Sequence, residues 1–181
     1  MLGKLLYACF ISCAYAKARV FLMAGQSNML GQGISAELTP PYNTAQTDVA
    51  YWKNIRWVDL APGFGRGTDF GPEFTFGRAV KDALPSDTIH LVKYAVSGTN
   101  LYKQWKPGAN IPLITMQGGP QYTTFMTTAN AALDKLKRDG IEYELSGMLW
   151  MQGEADAIAN KEGEYEANLR AFIADMRITF K

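Results

Sequence analysis

Three stretches of this chain run apolar and then break into small, polar residues. Val20, Phe21, Leu22 and Met23 are unbroken until Gly25-Gln26-Ser27-Asn28. "TIHLVKYAV" (88 to 96) stops at Ser97-Gly98, and "ELSGMLWMQGE" (144 to 154) turns polar at Gln152. Such continuous runs predict buried strands of the kind parallel sheets need, the first over 19 to 26. "DVAYWKNIRWVDL" (48 to 60) reads as two short strands around Lys53-Asn54, because asparagine tolerates a left-handed backbone. Elsewhere the spacing is helical. Phe74, Phe76, Val80 and Leu84, stopped by Pro85, predict a helix over 73 to 84. Phe125, Ala129, Ala132, Leu133 and Leu136, closed by Gly140, predict another over 122 to 138. Leu169, Phe172, Ile173 and Met176 mark an amphipathic helix over 164 to 180. Residues 61 to 73, with four glycines and two prolines, read as a loop, and 98 to 121 as a long irregular segment.

Strands alternating with helices give an α/β domain with a mainly parallel sheet, and ligands of such sheets sit at the carboxyl ends of the strands. Ser27, Gly98 and Gln152 each follow a strand-like run, so all three are expected at that end. A serine there can lift its hydroxyl above the sheet, and a glycine lets its N–H approach a ligand closely. A side-chain amide adds a further donor. Together they could form a nucleophile with an oxyanion hole made of the N–H groups of Ser27 and Gly98 and the amide of Gln152. Each has a plainer reading: Ser27 as a helix cap, Gly98 as a turn glycine, Gln152 as a solvated loop residue.

Composition narrows the classes. The 181 residues fit one domain, and a net charge of +1 argues against nucleic acid or a polybasic membrane role. Lys4, the apolar run "LLYACFISC" and Ala14-Tyr15-Ala16 have the layout of an export signal cleaved after Ala16. The run is too short to span a bilayer. The mature chain would begin at Lys17, extracytoplasmic and without Cys9 and Cys13, which excludes cysteine chemistry.

"GQSNM" (25 to 29), "GPEFTFGRAV" (71 to 80), "KYAVSGTNL" (93 to 101) and "WMQGEADA" (150 to 157) resemble the sequence blocks of the sialate O-acetylesterase and carbohydrate acetylesterase group of SGNH hydrolases. The resemblance implies a three-layer αβα sandwich of flavodoxin-like type and hydrolysis of O-acetyl esters on carbohydrates. By it Ser27 is the nucleophile, while Gly98 and Gln152 are oxyanion donors. Asn28, Glu73, Glu154 and Asp156 match motif positions that hold the loops over the sheet. No metal or organic cofactor is implied, and the partner is an acetylated carbohydrate.

One block of that group is missing: the closing D-x-x-H after a further strand, which supplies acid and base. Without that strand one sheet edge is expected to be unpaired. The only histidine, His90, lies seven residues before Ser97 in mid-strand, where a structural role is expected. Glu154 could approach Ser27, but carboxylates titrate well below neutral pH and make feeble bases for a hydroxyl. Two other readings remain at this point: a fragment of a longer active esterase, and a non-catalytic module binding acetylated glycans. For the latter Tyr102, Trp105 and Tyr122 would serve as sugar platforms, or else pack in the core.

Overall fold

The computed structural model describes residues 16–108 and 118–181. In its sheet β1 (Ala18–Gly25) lies between β4 (Thr88–Ala95) and β5 (Tyr143–Met151) and runs parallel to both. On the far side of β4, β2 (Gln46–Lys53) pairs parallel with it and antiparallel with β3 (Arg56–Leu60), giving the order β3-β2-β4-β1-β5. The turn between β2 and β3 places Asn54 and Ile55 at φ 50° and 61°, as a tight two-residue hairpin requires.

Both faces are covered, which is why Val20 to Met23 of β1 read as an unbroken apolar run. On one face α2 (Pro72–Ala83) packs Phe74 among Met23, Val49, Leu60 and Leu91. Gly77 brings this helix close: a Cβ there would stand 2.8 Å from Leu60 and 3.1 Å from Leu91. On the other face α3 (Pro120–Arg138) and α5 (Glu162–Thr179) bring Phe125, Ala129, Leu136 and Phe172 onto Leu22 and Val92. The result is the α/β sandwich expected from the sequence, with four parallel strands and one antiparallel strand.

The differences are local. Pro72 and Pro120 begin helices instead of ending loops, because the missing N–H costs nothing at a first position. Glu73, the residue at which the loop and helix readings meet, lies in the first turn of α2. Two one-turn helices, α1 (Ser27–Leu30) and α4 (Glu154–Ile158), follow β1 and β5. β5 is an edge strand: among the described residues nothing pairs with its outer side. The apolar start read as an export signal, with both cysteines, falls in residues 1–15, outside the described residues. Among those described, no helix is long and apolar enough to cross a membrane.

Candidate active site

The end of β1 is sewn to its neighbours before Ser27 begins. Val96 N–H donates to the Gly25 carbonyl at 3.2 Å, and Gln26 N–H donates to the Met151 carbonyl at 3.0 Å. A Cβ on Gly25 would stand 2.0 Å from the Met151 oxygen, so this crossing admits only glycine. Ser27 then opens α1, half-buried, with exposed Asn28 beside it. Among the described residues neither its hydroxyl nor its N–H has a hydrogen-bond partner, and the N–H of Gly98 is equally unspent. Gly98 is exposed and left-handed at φ 71°, with open space where a side chain would be.

Gln152 joins the three strand ends. Its Nε2 lies 3.2 Å from Gln26 Oε1, 3.0 Å from the Thr99 carbonyl and 2.6 Å from Asp156 Oδ2. Two hydrogens thus face three acceptors. Gln26, itself buried, also takes the Ala155 N–H at 3.3 Å. Fully buried Asp156 accepts the N–H groups of Leu101 at 2.7 Å and Tyr102 at 3.0 Å, tying the loop after β4 to the turn after β5. The phenol of Tyr165 donates to the Gln152 carbonyl and accepts from Trp150 Nε1, and burial raises its pKa above the ordinary value. Exposed Glu154 accepts from Asn28 Nδ2 at 2.5 Å.

Beneath α1 runs a buried ion pair. Lys93 Nζ lies 2.6 Å from Glu73 Oε2 and donates to the Leu30 carbonyl at 2.8 Å. Burial lowers the Lys93 pKa, and the Glu73 carboxylate opposes that shift. Glu73 Oε1 in turn accepts the Gly71 N–H at 3.1 Å.

A family model described as carbohydrate esterase, sialic acid-specific acetylesterase, matches residues 17–181. This chain belongs to that family. A relative, a probable carbohydrate esterase of Arabidopsis thaliana, is 26% identical over 182 residues, which cover 88% of this chain and 63% of the relative. The chain thus spans less than two thirds of the relative's length. A solved Arabidopsis thaliana structure superposes with a TM-score of 0.70 at 22% identity, covering 89% of this chain and 68% of that one. NanS superposes with a TM-score of 0.60 at 16% identity, covering 89% and 62%. At these identities the likeness is one of fold.

Not every candidate in this family member reaches the strand ends. His90 is buried within β4, its ring edge-on to Trp57 with centroids 4.8 Å apart. At about 3.3 Å per residue of strand, the seven residues to Ser97 put it some 20 Å from that end. Trp105 and Tyr122 are core residues, not sugar platforms. Trp105 is wholly buried with Nε1 donating to Thr99 Oγ1 at 2.8 Å, and Tyr122 is bonded to Asp175. Only Tyr102 is partly exposed, with the Lys161 ammonium 5.8 Å from its ring. Gln26, Thr99 and Lys93 were not singled out from the sequence. Lys93 had a signal: a cation inside an apolar run implies a buried carboxylate nearby. Among the described residues no group of His, Cys, Asp or Glu is gathered to hold a metal ion.

Proposed function

We propose that this chain carries the nucleophile and oxyanion hole of an acetylesterase that removes O-acetyl groups from carbohydrates, sialic acids among them. The observation that carries this reading is the gathering of an unpartnered serine, an unpartnered glycine N–H and a shared amide at three adjacent strand ends. Ser27 Oγ attacks the ester carbonyl as a base removes its proton, and the tetrahedral oxyanion takes the N–H groups of Ser27 and Gly98. Gln152, with more acceptors than hydrogens, redirects one hydrogen to the same oxygen. Each donor is worth roughly 3 kcal/mol in the transition state. The sugar hydroxyl leaves with the transferred proton, and water then hydrolyses the acetyl-serine.

The family resemblance implies the histidine of a D-x-x-H block as the base, a role that His90, remote from the strand ends, does not fit. The apolar start of the chain supports export, with residues 1–16 as the signal.

The test is initial acetate release from an O-acetylated sialic acid and from an aryl acetate. Three proteins are compared: the chain as it stands, the chain extended by a family strand bearing D-x-x-H, and the extended chain with Ser27→Ala. The first should stand only slightly above background. The second should gain about 10³-fold or more, and the third should lose that gain. Equal rates with and without Ser27 would overturn the proposal.

A further inference from the structure

We infer that Lys93 is a positioning residue for Ser27, acting through the far end of the helix that Ser27 begins. This rests on the reading of Ser27 as nucleophile.

The helix cannot hold itself in place. It has four residues and two backbone bonds, Leu30 N–H to Gln26 at 2.8 Å and Gly31 N–H to Ser27 at 3.0 Å. Helices this short do not persist on their own propensity. Its start is anchored to β5 through Gln26, but its last carbonyls have no intrahelical donor. The Lys93 ammonium supplies one to Leu30, as a charge-assisted bond. Lys93 comes from β4 and is held by Glu73 of α2, whose other oxygen fixes Gly71. Gly71 in turn backs Gly31, so closely that a Cβ on Gly31 would stand 2.3 Å from its Cα. One buried cation thus joins β4, α2 and the end of α1.

Stability alone does not call for a charge there. The side chains of Lys93 and Glu73 are 2% and 1% exposed, and apolar residues of similar volume commonly serve as well as a buried ion pair, or better. What a methionine could not do is bind the Leu30 carbonyl. Fixing that carbonyl fixes the only turn between it and Ser27, and with it the direction of the Ser27 hydroxyl and N–H.

The test uses the full chain with Lys93→Met and Glu73→Gln together, which removes both charges and leaves no unpaired carboxylate. Amide hydrogen exchange should quicken about tenfold at Leu30 and Gly31, the loss of one charge-assisted bond, while Leu22 and Val92 in the central strands stay unchanged. In a Ser27→Cys background, the pH profile of iodoacetamide alkylation should move toward that of a free thiol, about 8.5. Exchange rising equally at all four amides, no rise at Leu30 and Gly31, or an unmoved alkylation profile would overturn the inference. Should the double variant not fold, the wild-type chain decides. A scalar coupling between Lys93 ¹⁵Nζ and the Leu30 carbonyl carbon is expected, and its absence would overturn the inference. None of these readouts needs ester hydrolysis, so an inactive but correctly clamped protein would remove the proposed function alone.

Discussion

Asp156 Oδ2 lies 2.6 Å from the amide nitrogen of Gln152, in the turn that precedes α4, while the same carboxylate accepts the N–H groups of Leu101 and Tyr102. A single buried side chain thereby sets the distance between the turn after β5 and the loop after β4. Asp156→Ala would leave the N–H groups of Leu101 and Tyr102 without an acceptor, while Gln152 would keep Gln26 Oε1 and the Thr99 carbonyl for its two hydrogens. The expected cost is about 3 kcal/mol in urea denaturation, with faster exchange at Leu101 and Tyr102 than elsewhere. A loss within experimental error would show that Asp156 is not the tie described.

His90 makes stability depend on pH in one direction. Burial lowers its pKa, so the folded state resists the proton that the unfolded state accepts below about 6.5. Above that pH the residue is neutral in both states and contributes no slope. As pH falls below it, stability declines until the folded-state pKa is passed. Relative to His90→Gln, the wild type should lose on the order of 1 kcal/mol more between pH 7 and pH 5. Parallel curves for the two proteins would contradict the burial argument.

Much of this was legible in the sequence. Leu22 and Met23 face opposite layers, so an unbroken apolar run was the correct sign of a strand covered on both sides. The turns holding Ser27, Gly98 and Gln152 were legible because each broke such a run. The position of β5 was not, since strand order follows from pairings between distant segments and not from local pattern. Nor were α1 and α4, because one turn has no period to detect. Gln26 looked like a flank of Ser27, yet its buried amide is what Gln152 and Ala155 hold.

The proposed cleavage after Ala16 would act on a backbone group that the fold already holds. Lys17 N–H donates to Asp87 Oδ1 at 3.0 Å, next to the Arg19 side chain that lowers the Asp87 pKa. Cleavage after Ala16 would turn that N–H into an ammonium facing a carboxylate. Terminal sequencing of exported protein should begin at Lys17, and an intact Met1 would refute this.

Among the described residues nothing pairs with the outer edge of β5, which lies beside a groove of about 630 Å³ lined by Leu145, Met148, Trp150, Phe172 and Phe180. Such edges recruit other strands. This chain should self-associate with concentration in sedimentation velocity, and Ser146→Lys should reduce that association. A strictly monomeric chain at high concentration would count against an open edge.

The most direct test of the central claim asks where an acetyl group lands. Because His90 is remote from the strand ends, acylation and deacylation are both expected to be slow, and excess activated aryl acetate should load the nucleophile faster than water clears it. Peptide mapping by mass spectrometry after prolonged incubation should find one acetyl group on Ser27 of the folded chain. It should be absent from Ser27→Ala and from urea-unfolded protein. Acetyl confined to lysines or to another serine, with Ser27 unmodified, would contradict the assignment of Ser27 as nucleophile.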